Sequence, residues 1–285
     1  MKNNSFFRSF SINITWAWLA AFAIIPNLAL ILVALLDRGE SSFFIPEFTL
    51  ANFARLFSPE FATVMWDSLT LAALSTLMCL LIGYPFAYAI AKAAPQRRPW
   101  LLLLVIIPFW TNSLIRTYAL ILILGAQGMI NKLLAVFGIA PLSLMFSEFA
   151  IFVGLTYTLL PFMILPLYAS IEKLDTRLLD AARDLGASSR RAFWHVALPL
   201  TSPGIVAGCI LVFLPSLGMF YVPEILGGAT NLLLGSFIKN QFLVAKDWPF
   251  GAAASSVLTI MLIVMAIIYR MVGTGKSQGA SLAGR

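Results

Sequence analysis

Six apolar runs long enough to cross a bilayer, a shortage of charge, and a one-sided distribution of Lys and Arg predict an all-α integral membrane protein with six transmembrane helices. Of its 285 residues, 60% are hydrophobic and 11% are charged, and the mean hydropathy is +0.92. Soluble domains carry roughly 25% charged residues. A soluble fold of this length would need far more polar surface to cover itself. The composition excludes an ordinary cytosolic globule, a disordered chain and a nucleic-acid-binding domain, although the formal net charge is +7.

A hydrocarbon core of about 30 Å calls for roughly 20 mostly apolar helical residues. Residues 16–36, 69–91, 101–124, 149–167, 205–222 and 252–269 meet or approach that length. Span one is too long for the apolar region of a cleavable signal peptide, and no small-residue cleavage site precedes Asp37. The segment between spans one and two contains Phe53, Leu56, Phe57 and Phe61, the pattern of a short helix lying along the membrane surface. Span three carries Pro108, followed by Trp110, Thr111, Asn112, Ser113 and Arg116. Span five opens on Gly204 and Gly208, a spacing that permits close helix contact. The organisation is therefore an N-terminal segment 1–15, a transmembrane domain 16–272, and a flexible Gly/Ser-rich tail 273–285.

Orientation follows the basic residues, which gather on the cytoplasmic side of bilayers. Segments before span one, between spans two and three, between four and five, and after six hold 13 of the 19 Lys and Arg; five lie on the opposite side, and Arg116 lies within span three. The same inner segments hold only Glu172, Asp175, Asp180 and Asp184 of the 12 acidic residues. Both termini are expected in the cytoplasm, and the outer face is net acidic.

The one long inner loop, 170–199, reads as two short helices. Leu174, Leu178, Ala181, Ala182 and Leu185 recur at helical spacing, Asp175 suits an N-cap and Gly186 a stop. Ser188 or Ser189 suits the cap of a second helix bearing Ala192, Phe193 and Val196, with Pro199 after it. A compact knob results. It serves equally as a docking element for another protein or as a loop packed on its own spans.

Asp180-Ala-Ala-Arg-Asp-Leu-Gly186, followed by Leu198-Pro199, resembles the "EAA" signature of ABC importer permeases, with Asp180 in place of the usual Glu. Pro108-Phe-Trp-Thr-Asn-Ser-Leu-Ile-Arg116, Leu160-Pro-Phe-Met163, Ser170-Ile-Glu-Lys-Leu-Asp175 and Asp247-Trp-Pro-Phe-Gly251 are similar to permeases of spermidine/putrescine importers, the PotB type. The resemblance covers residues 43–269. It implies the type I ABC importer permease fold in a bacterial inner membrane. It also implies that Asp180, Ala181, Ala182, Gly186, Leu198 and Pro199 belong to a coupling segment that docks on an ATPase. The implied partners are a second, homologous permease of the PotC type, two ATPase subunits holding ATP and Mg, a soluble substrate-binding protein and a polyamine substrate. Another small cationic or organic solute, or an ATPase-independent secondary transporter, stays open at this stage.

No catalytic or cofactor site is expected in the chain. Gly275-Lys276-Ser277 lacks the first glycine of a phosphate-binding loop, Arg270 standing in its place. His195 is the single histidine, too little for a metal site or a hydrolytic triad. Cys79 and Cys209 sit in apolar runs and imply no disulfide. A polycation in transit needs carboxylates and aromatic faces. Trp110, Asn112, Ser113, Tyr118, Phe220, Tyr221, Glu224 and Asp247 are the candidates for its route. Arg116, a cation, is assigned a structural or gating pairing instead.

Overall fold

A computed structural model of the chain describes the backbone of residues 3–39, 44–228 and 232–282; Lys2, Glu40 and Arg285 lie outside it. Among the described residues six helical stretches are long and apolar enough to cross a membrane: Arg8–Ala34, Pro59–Lys92, Ser113–Val136, Glu148–Glu172, Ser189–Gly218 and Trp248–Ile268. The chain divides into two compact units, residues 1–63 with 237–262, and residues 64–236 with 263–285.

The first unit is built from α1 (Asn3–Ala34), a small antiparallel ribbon of β1 (Leu36–Asp37) and β2 (Ile45–Phe48), and α2 (Ala51–Arg55). The first turn of α3 (Pro59–Lys92), most of α12 (Leu234–Leu243) and the first half of α13 (Trp248–Leu282) complete it. Ala34 meets Ala252 and Ala253 with essentially no exposed surface, because alanines let the two helices approach closely. Buried Asn52 donates to the carbonyls of Ala34 and Leu36 at 3.0 and 2.8 Å, satisfying the C-terminal end of α1. Phe237 meets Phe61 and Phe250 edge-on at 5.6 and 5.7 Å, and Phe61 lies tilted against Phe250 at 6.2 Å. The surface helix expected around Phe53 to Phe61 is only the short α2, since Pro59 starts the long second span ten residues early at a position that favours helix initiation.

The second unit centres on α7 (Glu148–Glu172), the most deeply buried span, whose Ile151, Leu155, Leu159, Met163 and Leu167 are sealed on every side. Its main neighbour is α10 (Leu198–Gly218). A Cβ on Gly204 would stand 2.4 Å from Ser170 Cβ, and one on Gly208 would stand 2.6 Å from Met163 Sδ. The paired glycines therefore make the close helix contact that their spacing suggests.

Three elements depart from the sequence reading. Span three is two helices, α4 (Arg98–Trp110) and α5 (Ser113–Leu124). Pro108 weakens the first, and the Asn112 side chain accepts from the Leu114 N–H at 2.8 Å, capping the second. Span five begins at Ser189 rather than 205. Phe193–Ala197 adopts a π turn in which the Leu198 N–H reaches the Phe193 carbonyl. The wider turn accommodates Pro199, which has no N–H to give and a ring that collides with an α-helical carbonyl. Finally, α13 continues to Leu282 through the Gly/Ser-rich stretch, which contains no proline to stop it.

Candidate functional site: a two-helix knob and an aromatic corner

The knob is α8 (Thr176–Asp184), α9 (Ser189–Ala192) and the π turn leading into α10. Asp175 caps α8 by accepting from the Arg177 N–H at 3.0 Å. Gly186, at φ +85°, ends it in the left-handed region, with the Gly186 and Ala187 N–H groups returning to Arg183 and Ala182 carbonyls at 2.8 and 3.0 Å. The Ser188 hydroxyl accepts from the Arg191 N–H at 3.4 Å at the start of α9. Leu179, Ala192 and Ala197 form a small core with Leu174, Ala182, Phe193 and Val196 around it. Tyr84 of α3 ties the knob down: its ring meets Phe193 edge-on at 5.6 Å and its hydroxyl lies 3.1 Å from that of Thr201.

One expectation inverts here. Leu178 and Leu185 read as members of a packed stripe, yet both are exposed, Leu185 by 90%, and Ala181 is exposed beside them; Leu179 is the leucine that is buried. Asp180 stands in the open, paired with Arg183 at 3.2 Å. The glycine and the surrounding small residues leave this tip low, apolar at its centre and charged at its edge. Leu198 is half-buried and Pro199 exposed at the base.

Of the outer candidates, most collect on two packed elements. Trp110 ends α4, Asn112 and Ser113 begin α5, and Tyr118 lies one turn further on. Phe220 and Tyr221 stand at the start of α11 (Tyr221–Gly227), their rings edge-to-face at 6.1 Å, and Glu224 follows one turn along. α11 packs against both α5 and α7. Trp110 is 76% exposed, and Tyr118, Phe220 and Glu224 are exposed as well. Three open rings and an acidic group on neighbouring elements suit a cation better than an anion.

Asp247 has its own surroundings. It lies in the other compact unit, 1% exposed, with its carboxylate 2.8 Å from Arg55 and 3.7 Å from Arg38. It also accepts from the Phe250 N–H at 3.2 Å at the start of α13, while Arg55 lies 3.9 Å over the Phe250 ring. A carboxylate already facing two guanidiniums has no charge left for a substrate cation. This pairing was not legible in the sequence, because its ionic partner Arg55 is 192 positions away. A second network was missed as well: Glu172 accepts from the Tyr168 hydroxyl at 2.6 Å and from Arg98 at 3.4 Å, joining the ends of α4 and α7.

Residues 80–275 match the binding-protein-dependent transport system inner membrane component family. The chain belongs to this family. Among its relatives, the spermidine/putrescine transport system permease PotB of Haemophilus influenzae is 50% identical over 93% of this chain and 94% of its own length. PotB of Escherichia coli is 51% identical over 88% of this chain and 92% of its own. The permease fold recurs in a solved bacterial alginate ABC transporter, with a TM-score of 0.73 at 18% identity over 93% of each chain. It recurs also in the MetNI methionine ABC transporter, with a TM-score of 0.54 at 19% identity over 76% of this chain and 99% of that one. Six apolar helices and this family membership make the chain a multi-pass inner-membrane permease of the type I ABC importer fold.

Proposed function

We propose that this permease is the membrane-spanning subunit of an ATP-driven importer that moves spermidine and putrescine into the cytoplasm by alternating access. The observation that carries the reading is the roughly half identity to PotB proteins across nearly the whole chain. The open aromatic rings and Glu224 at the outer corner support the choice of a cationic solute. A polyamine arriving there exchanges part of its hydration for ring faces and one carboxylate, interactions of about 1 kcal/mol each at exposed positions. Weak, multiple contacts let the solute move on.

In this reading the knob around Asp180, Ala181, Ala182, Gly186, Leu198 and Pro199 lies in the cytoplasm with both termini and docks on an ATPase chain. The outward Leu178, Ala181 and Leu185 stripe supports docking over self-packing. ATP and Mg belong to two ATPase subunits, so this chain contributes a pathway and no chemical step. A second, PotC-type permease completes the route, and a soluble binding protein delivers the solute from outside.

Uptake of labelled spermidine tests the site. Glu224→Gln and Trp110→Ala, in importers shown to assemble normally, are expected to lower uptake about five- to tenfold, the effect of losing roughly 1 kcal/mol or slightly more from a transport barrier. Parental rates in both variants rule out this route.

A further inference from the structure

The connecting segments expected opposite the knob hold five Lys and Arg, and folding gathers three of them in one place. Arg38 and Arg55 share the Oδ2 atom of buried Asp247, at 3.7 and 2.8 Å, and Lys246 precedes that aspartate in the chain. Arg38 also donates to the Ala245 carbonyl at 3.0 Å, so the two arginines hold the residues on either side of Lys246. The turn is fixed further by the Ala245 and Asp247 N–H groups, which donate to the Asn240 and Gln241 carbonyls at 2.9 Å, and Lys246 sits in it at φ +52°. Asp37 is the other carboxylate here, its Oδ1 accepting from the Arg38 backbone N–H at 2.8 Å. Three cations stand against two carboxylates, one of them enclosed. The cluster keeps a surplus of positive charge.

The unused donors call for an anion with several oxygens. Two guanidiniums carry about ten N–H donors. Two of these donors meet a hydrogen-bond acceptor among the described residues, at Asp247 and at Ala245. Arg38 and Arg55 are about half exposed and Lys246 is exposed, so the rest are within reach of a ligand. Position selects the anion. Arg38 lies four residues after α1 ends at Ala34, Arg55 four before α3 begins at Pro59, and Lys246 two before α13 begins at Trp248. Three membrane spans begin or end beside the cluster, the level at which the polar region of a bilayer starts. Within five residues of these cations Leu50, Phe57, Leu243 and Val244 are each exposed by two-thirds or more. Large apolar side chains at that level suit acyl chains rather than water. A free anion uses the donors alone, whereas a lipid phosphate uses both features, and a polyamine is repelled.

We propose that Arg38, Arg55 and Lys246 form a site for the phosphate of an anionic phospholipid, whose acyl chains lie along the exposed apolar side chains. Planar guanidinium forks match phosphate oxygens in pairs, which a lone ammonium does not, and Lys246 adds charge. Asp247, enclosed and bound through both oxygens, keeps the two arginines side by side. The bound lipid ties the ends of α1, α3 and α13 to one depth in the bilayer. The site goes beyond the transport reading above and does not depend on which solute is carried.

The test is photo-labelling of the assembled importer in lipid nanodiscs. The probes are phosphatidylglycerol with a diazirine in its acyl chain and, in parallel, diacylglycerol with the same chain and no phosphate. Adducts are mapped by mass spectrometry to peptides covering residues 48–58 and 240–250. The expected result is labelling there about tenfold higher with phosphatidylglycerol, tenfold corresponding to about 1.4 kcal/mol. In Arg38→Gln/Lys246→Gln it falls to the diacylglycerol level, while Lys132→Gln, which removes an exposed charge elsewhere, leaves it unchanged. Equal labelling by the two lipids overturns the proposal, since apolar contact alone then remains, and so does a preference that survives in the double variant. Labelling that appears only when the soluble binding protein or the partner permease is omitted assigns the patch to a protein and overturns it as well. If the double variant does not accumulate, Lys246→Gln alone carries the comparison, with a fall of about threefold expected, or roughly 0.65 kcal/mol. The readout does not involve spermidine, so a wrong solute assignment leaves it unchanged.

Discussion

Asp247 and Glu224 show how folding gives two carboxylates of one chain different surroundings. Asp247 is enclosed, caps a helix and holds Arg55 and Arg38; Glu224 is exposed, one turn after Phe220 and Tyr221. Charge-assisted hydrogen bonds of the first kind contribute about 2 kcal/mol each, less where the arginines are half exposed as here. Asp247→Asn keeps the cap oxygen but loses the charge, and is expected to destabilise the purified permease by about 2 kcal/mol, read as a lowered melting temperature in detergent. Glu224→Gln is expected to leave that temperature unchanged while lowering uptake. If the two variants exchange these behaviours, the assignment of roles is wrong. Nothing local distinguishes the two residues: Asp247-Trp-Pro-Phe and Glu224-Ile-Leu-Gly both place a carboxylate among apolar neighbours. The distinction comes from Arg55, brought to Asp247 by folding.

At the scale of elements, helix caps and the knob were largely legible, whereas helix limits were not. Asp175, Gly186 and Ser188 act where their side chains or backbone freedom direct them, because capping is a local competition for free N–H and carbonyl groups. Pro108 and Pro199 misled in opposite directions. One accompanies a true break that the Asn112 cap completes, and the other is absorbed by a π turn. The buried side of α8 was misjudged as well, since Leu178 and Leu179 differ by one position and only packing against Ala192 and Ala197 selects between them. Gly186 is the decisive residue of this element. A Cβ there meets nothing within 4 Å, so the cost of Gly186→Val is conformational, about 1–2 kcal/mol for leaving glycine's left-handed region. The expected outcome is an α8–α9 corner that no longer presents its tip, with the ATPase chain lost from affinity-purified membranes while the permease itself still accumulates. Retention of both the ATPase and transport refutes docking through this tip.

At the scale of the molecule, topology is the prediction that composition carries. One alternate set of connecting segments concentrates basic residues and the other acidic ones, so the formal charge of +7 is expected to orient the chain across the bilayer. Alkaline phosphatase, active only outside the cytoplasm, is expected to be active when fused after Gln127 and inactive when fused after Arg285; the reverse pattern places the knob on the wrong side for an ATPase. Membrane class, number of spans and the capped knob are written in the sequence, because burial in lipid and helix capping depend on runs and spacings within a few turns. Which carboxylate is buried, which leucine faces out, how tightly α7 meets α10 across Gly204 and Gly208, and that Arg116 Nε and Nη1 have no acceptor among the described residues were decided by tertiary structure alone. Those outcomes depend on side chains brought together from distant positions, where a difference of one residue turns a helix by 100° and exchanges core for surface.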